Sequence, residues 1–195
     1  MIAIALAALI ASPAAKAAAK KPAANPVVVI STSMGDIKVE LDAKNAPIST
    51  ENFLEYVKEK HYDGTVFHRV IKAFMIQGGG FDEKLHQKGA GHPAIKNEAG
   101  NGVKNTVGTL AMARTGVVDS ATDQFFINTK DNVFLDHRDD SERGFGYAVF
   151  GKVIGGLDVV KKIEATQTTT KPSDDGMPLS DVPAAVVVIK SVRKK

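Results

Sequence analysis

One short run of this chain mixes side chains that rarely share a strand face. In Thr65-Val66-Phe67-His68-Arg69-Val70-Ile71, a period of two sets Phe67, Arg69 and Ile71 on one face and Val66, His68 and Val70 on the other. An arginine between two large apolar residues either snorkels to water from a sheet edge or stands over an apolar surface as a fixed donor. Two further runs favour the second reading. Met75 and Gln77 share a face, and so do Gln124, Phe126 and Asn128. Arg, Gln and Gln set among Phe and Met make an apolar surface with a few placed hydrogen-bonding groups, the make-up of a site for a small, partly apolar group.

Other chemistries lack their parts. The chain has no Cys, which removes disulfides, zinc–thiolate sites, iron–sulfur clusters and cysteine nucleophiles. No G-x-S-x-G elbow and no Gly-Lys-Ser/Thr phosphate loop occurs. Gly89-Ala90-Gly91-His92-Pro93-Ala94 matches a dinucleotide fingerprint only on paper, because it follows no strand and Pro93 stands where a helix should start. His61, His68, His86, His92 and His137 show no metal-ligand spacing and read as satisfied or solvated imidazoles.

The elements that must position the unusual strand residues follow from periodicity. Val27–Ile30 is β-branched, and Ile37, Val39 and Leu41 alternate with Lys38, Glu40 and Asp42 beyond a turn at Met34-Gly35-Asp36, which makes a hairpin with one wet face. Pro47, Ser49 and Thr50 open a helix striped by Phe53, Tyr56 and Val57. Thr65–Ile71 is a strand, and Phe74–Gln77 a short one cut off by Gly78-Gly79-Gly80. Residues 81–105 read as a long surface excursion. Strands resume at Thr106–Arg114, Gln124–Asn128 and Tyr147–Val153. A second helix follows Gly155-Gly156 with Leu157, Val160 and Ile163 as its stripe; Thr166–Asp181 reads as loop, and Val186–Val192 closes the chain as a strand. About eight strands with two widely separated helices argue for an antiparallel sheet, sandwich or barrel. A closed barrel capped by the two helices is preferred, because closure removes exposed strand edges.

Composition bounds the partners. The chain has 195 residues, 44% hydrophobic and 24% charged, which suits one soluble domain. Its net charge of +3 is supplied by Lys16, Lys20 and Lys21, so the remainder is neutral overall and offers no basic face for nucleic acid. The first residues are a different material. Ile2–Ala11 is an unbroken apolar run, shorter than the roughly 20 residues a membrane span requires, and Ala15-Lys16-Ala17 fits an A-x-A cleavage pattern. The expectation is a signal peptide over residues 1–19, a linker over 20–26, a functional domain over 27–195, a periplasmic location, and no stable membrane insertion after cleavage.

Taken together, Phe67-His68-Arg69-Val70-Ile71, Phe74-Met75-Ile76-Gln77-Gly78-Gly79, Leu110-Ala111-Met112-Ala113, Gln124-Phe125-Phe126-Ile127 and Val149-Phe150-Gly151-Lys152-Val153 resemble the cyclophilin family in order and approximate spacing, from about Val27 to Val192. The resemblance implies a closed eight-stranded antiparallel β-barrel with two capping helices, peptidyl-prolyl cis–trans isomerisation without a cofactor, and proline-containing peptides and folding proteins as partners. It implies catalytic roles for Arg69, Gln77 and Phe74, and substrate contacts from Met75, Ala113, Arg114, Gln124, Phe126, Phe134, Leu135 and Tyr147. Gln77 would orient Arg69, and the backbone of Ala113 and Arg114 would pin the flanking peptide. Arg114-Thr115 stands where the best-known eukaryotic pattern has Asn-Ala, Phe134 where it has Trp, and Tyr147 where it has His. That combination is similar to bacterial, periplasmic-type cyclophilins and implies weak binding of cyclosporin A. Two rival classes are a proline-peptide binding module or chaperone without catalysis, which could dispense with Arg69, and a Ser/His/Asp hydrolase, for which no pattern exists.

Overall fold

The computed structural model describes residues 25–195. The expected signal peptide and most of the expected linker lie outside the described residues. Strands β1 (Val27–Thr32) and β2 (Gly35–Leu41) form the first hairpin, and Ile37, Val39 and Leu41 are completely buried on the face that alternation assigns them. Helix α1 (Pro47–Lys58) begins with proline at its first turn, where the missing N–H leaves no bond unmade. Strands β3 (Thr65–Ile71), β4 (Met75–Asp82), β5 (Thr109–Met112), β6 (Phe125–Asn128) and β7 (Val149–Gly155) follow. Helix α2 (Leu157–Glu164), a β8 (Thr168–Pro172) and β9 (Pro178–Pro183) pair, and β10 (Val188–Lys194) complete the chain. Eight strands close an antiparallel barrel in the order β1-β10-β3-β4-β6-β5-β7-β2.

The barrel interior is filled from both helices. Phe53 of α1 stacks on Tyr62 at 5.0 Å and meets Phe125 edge-on at 5.5 Å, while Val160 and Ile163 of α2 are fully buried. Each such side chain contributes roughly 1.5–3 kcal/mol by leaving water. The expected α2 stripe needs one correction: Leu157 is 40% exposed, and Val159 takes its place beside Val160 and Ile163.

Three other expectations change. The short strand at Phe74–Gln77 does not stop at the glycines; β4 runs on through Gly78-Gly79-Gly80 to Asp82. Gly79 has a φ of +100°, where a side chain would be strained and would also press on Tyr62 and the Asp123 carbonyl, so glycine permits the strand here. The polar stretch Thr166–Asp181 is not simply loop, because β8 and β9 pair as a separate two-stranded sheet. β8 is exposed at four of its five positions, and β9 buries only Val182 and Pro183 at its end, so no alternation of apolar residues marks them. Finally, β3 does not keep its period of two. Phe67 pairs with Gly78 and Arg69 with the adjacent Gln77, so His68 is an extra residue in a bulge. Phe67 therefore turns into the core, edge-on to Phe125 at 6.3 Å, and does not share a face with Arg69.

Candidate active site

The bulge re-aims Arg69 away from the barrel core and into a surface cleft. Ladder register then sets Arg69 beside Gln77, Gln77 beside Phe126, and Phe126 beside Ala111, one row across β3, β4, β6 and β5. Along β4, Met75 lies two residues from Gln77 and so shares its face. The result is an open cleft lined by Arg69, Phe74, Met75, Gln77, Ala113, Arg114, Phe126, Leu135 and Tyr147. Its floor is a small apolar cluster separate from the main core, in which Met75, Ala111, Phe126, Leu135 and Val149 are buried and Ile71, Phe74 and Tyr147 pack against them.

Each wall is held from behind. Leu135 sits on a single 3-10 turn, Val133–Leu135, and its carbonyl accepts from the Tyr147 N–H at 2.9 Å. Tyr147 meets Phe126 edge-on at 5.7 Å. Under the floor, Asn132 donates to the Phe74 carbonyl at 2.9 Å and to Asn128 at 2.7 Å, and Asn128 donates to Asn105 and Thr109. Asn128 is therefore spent in a buried network and does not share the cleft with Phe126, as alternation suggested. Satisfied buried networks of this kind rigidify what they carry.

Four expected contacts differ from the sequence reading. Gln124 does not line the cleft; it stands one step back and accepts from Gln77 Nε2 at 3.0 Å. That is the one side-chain hydrogen bond Gln77 makes among the described residues, so Gln77 is tied to Gln124 and not to Arg69, which the resemblance implied it would orient. Phe134 is 63% exposed and lies on the rim, stacked on Phe74 at 5.5 Å. The Ala113 N–H is already given to the Gln124 carbonyl at 2.9 Å.

Arg114 is committed to structure. Its Nε donates to Gly146 O at 3.0 Å, its other nitrogens donate to the carbonyls of Thr115, Gly116 and Glu142, and its guanidinium lies 4.8 Å over the Tyr147 ring. Arg114 braces the Tyr147 wall by hydrogen bonds and a cation–π contact.

Arg69, by contrast, makes one salt bridge among the described residues, from Nε to Asp181 Oδ2 at 3.9 Å. Asp181 lies on β9, in the stretch whose sequence reads as loop, and no periodicity signals it. Beside Arg69, burial pushes the His68 imidazole down to about 4, and the Arg69 charge adds to the effect. The ring packs on Phe81 at 4.6 Å and its Nδ1 has no partner, so His68 is neither satisfied nor solvated as expected. Among the described residues, no cluster of His, Cys, Asp and Glu has the geometry to hold a metal ion.

A donor-only guanidinium over an apolar floor, with hydrogen-bonding side chains alongside, can bind a peptide through one apolar ring and polarise an adjacent nitrogen. Comparison with known proteins agrees with that geometry. The family model described as "Cyclophilin type peptidyl-prolyl cis-trans isomerase/CLD" matches residues 27–194. The chain is 53% identical over 169 residues to a peptidyl-prolyl cis-trans isomerase of Acinetobacter baylyi, covering 87% of this chain and 88% of that one. It is 50% identical over 166 residues to peptidyl-prolyl cis-trans isomerase A of Dickeya dadantii, covering 85% and 83%. A crystal structure of a cyclophilin-type isomerase from Cryptosporidium parvum superposes with a TM-score of 0.69 at 26% identity, covering 88% of this chain and 98% of that one. The same Cryptosporidium protein has been solved in the presence of the dipeptide Ala-Pro. With fold, cleft and relatives in agreement over nearly all the described residues, this chain belongs to the cyclophilin-type peptidyl-prolyl cis–trans isomerase family and is an enzyme of that class.

Proposed function

We propose that the cleft beside Arg69 binds proline-containing segments of folding proteins and turns the X–Pro bond by stabilising its twisted state. The bond resists rotation because the prolyl nitrogen shares its lone pair with the carbonyl, a barrier of roughly 18–20 kcal/mol. A quarter turn breaks that conjugation and returns the lone pair to nitrogen. A donor aimed there gains strength only as the bond twists, which lowers the barrier without tightening the ground state. Arg69 suits this task because a guanidinium stays protonated and only donates. Its place over the rim of the apolar floor is the observation that carries the reading.

In this account Phe74, Met75, Phe126 and Leu135 hold the pyrrolidine ring, while the rest of the peptide rotates. Gln77, steadied by Gln124, meets the substrate carbonyl. Arg114 and Tyr147 form the far wall. The chemistry requires neither nucleophile nor general base.

Titration of a short Ala-Pro peptide into isotopically labelled protein, followed by backbone amide shifts, tests the location. Shifts concentrated at Arg69, Gln77, Ala113 and Phe126 are expected. Shifts confined to another face would overturn it.

We further propose a bacterial periplasmic-type protein. The apolar run Ile2–Ala11 followed by Ala15-Lys16-Ala17 supports export and cleavage.

A further inference from the structure

Arg69 carries a long side chain that loses about 2 kcal/mol of rotamer freedom when fixed, so whatever holds it before the reaction reduces what the twisted state must supply. Gln77, its neighbour in the ladder, is bonded elsewhere. The group that does reach Arg69 comes from the separate β8–β9 sheet. Asp181 Oδ2 lies 3.9 Å from Arg69 Nε, with the two side chains 43% and 40% exposed.

Two observations indicate that this approach is built rather than incidental. Asp181 has a φ of +61°, a left-handed backbone conformation uncommon for any residue but glycine and best tolerated by Asn and Asp. Next to it, Val182 is buried in an apolar cluster with Val66 and Leu85, where Phe81, Leu179 and Val188 also pack, so β9 is fastened directly to β3 and β4. The carboxylate approaches the guanidinium at Nε, and Arg69 itself lines the cleft.

Resting on the assignment of Arg69 as the catalytic donor, we propose that Asp181 is its positioning residue: it holds the guanidinium by the Nε edge so that the terminal N–H groups face the prolyl nitrogen, and it touches no substrate itself.

Asp181→Asn tests this cleanly, because asparagine keeps the left-handed backbone and the shape while removing the charge. Asp181→Gly removes the whole side chain and relaxes the same backbone. Both are made in the full chain and compared with wild type for kcat, KM, melting temperature and the order parameter of the Arg69 Nε–H bond. The proposal expects kcat roughly two- to fivefold lower with KM unchanged, the range of a half-exposed ion pair. It also expects a lowered Arg69 Nε–H order parameter with little change in melting temperature, and no further loss when either substitution is added to Arg69→Ala.

Wild-type kcat with an unaltered order parameter in both variants would overturn it. So would an equal loss in the Arg69→Ala background, since Asp181 would then act through something else. The order parameter reads the contact independently of turnover. If Arg69→Ala alone kept full activity, it is the assignment of the catalytic donor that would fail.

Discussion

Gly80 stands where the side chain of Gln124 crosses β4: a Cβ built on it would lie 2.6 Å from Gln124 Cγ, closer than carbon atoms pack. Its φ is not in the left-handed region, so this glycine serves clearance, not conformation. The space it leaves lets Gln124 reach Gln77 at 3.0 Å.

Gly80→Ala should therefore push Gln124 aside and break its bond to Gln77 while the barrel stays folded, since the displaced atoms belong to a flexible side chain. The expected result is a kcat/KM several-fold lower, on the scale of one neutral hydrogen bond, about 0.5–1.5 kcal/mol. Wild-type kinetics in Gly80→Ala, measured on a proline peptide, would show that the Gln77–Gln124 pair is dispensable.

His68 makes a prediction about pH. Its folded value of about 4 lies below the ordinary 6.5, because burial disfavours the imidazolium. The unfolded chain thus takes up the proton first as pH falls. Stability from this residue is complete above about pH 6.5, declines between 6.5 and 4, and is lost below that, a total of about 3 kcal/mol. In His68→Leu, which also removes the unpartnered Nδ1, unfolding free energies across that window should lose this slope. An unchanged pH profile in the variant would contradict it.

The barrel was legible because its strands are half-buried and alternate, as at Ile37, Val39 and Leu41. So were both helices, from their stripes. Part of the cleft is legible too: Met75, Gln77 and Phe126 lie on strands that keep their period across the row, whereas Phe74, Ala113, Arg114, Leu135 and Tyr147 enter only through the family resemblance. What was hidden has physical reasons. The bulge at His68 breaks the period that reading β3 assumes, so Phe67 and Arg69 part company. The strand through Gly78-Gly79-Gly80 is invisible to propensity, since glycine usually ends strands and here serves close approach. β8 is almost wholly exposed and β9 buries only its last two residues, leaving no apolar alternation to find, and Asp181 is hidden with them. Gln124 is placed by strand alternation as well as by resemblance and Phe134 by resemblance alone, and the structure sets one behind the cleft and the other on its rim.

Phe134 bears on inhibitor binding. It stacks on Phe74 but carries no N–H donor where the best-known members of the family have Trp. A ligand carbonyl left without its partner costs about 1–3 kcal/mol when buried. Phe134 is largely exposed, so the lower end applies, roughly fivefold in affinity. Cyclosporin A should inhibit weakly, and Phe134→Trp should bind it more tightly with turnover little changed. Equal inhibition constants for the two proteins in one isomerase assay would remove this role for position 134.

Export makes a separate prediction. If the Ile2–Ala11 run and Ala15-Lys16-Ala17 direct cleavage, the mature chain should begin between about Ala15 and Lys20 and be recovered outside the cytoplasmic membrane. Mass spectrometry of the N-terminus from fractionated cells decides it. An intact Met1 form found only in cytosol would count against export.

The central claim is that Arg69 supplies the donor to the twisted X–Pro bond. It is tested most directly by kcat/KM of Arg69→Ala on an X–Pro peptide, alongside its melting temperature. The account predicts a loss of at least about tenfold, equal to roughly 1.4 kcal/mol of transition-state stabilisation, with melting little changed because the side chain lies in an open cleft. Near-normal isomerase activity in the folded variant would contradict it.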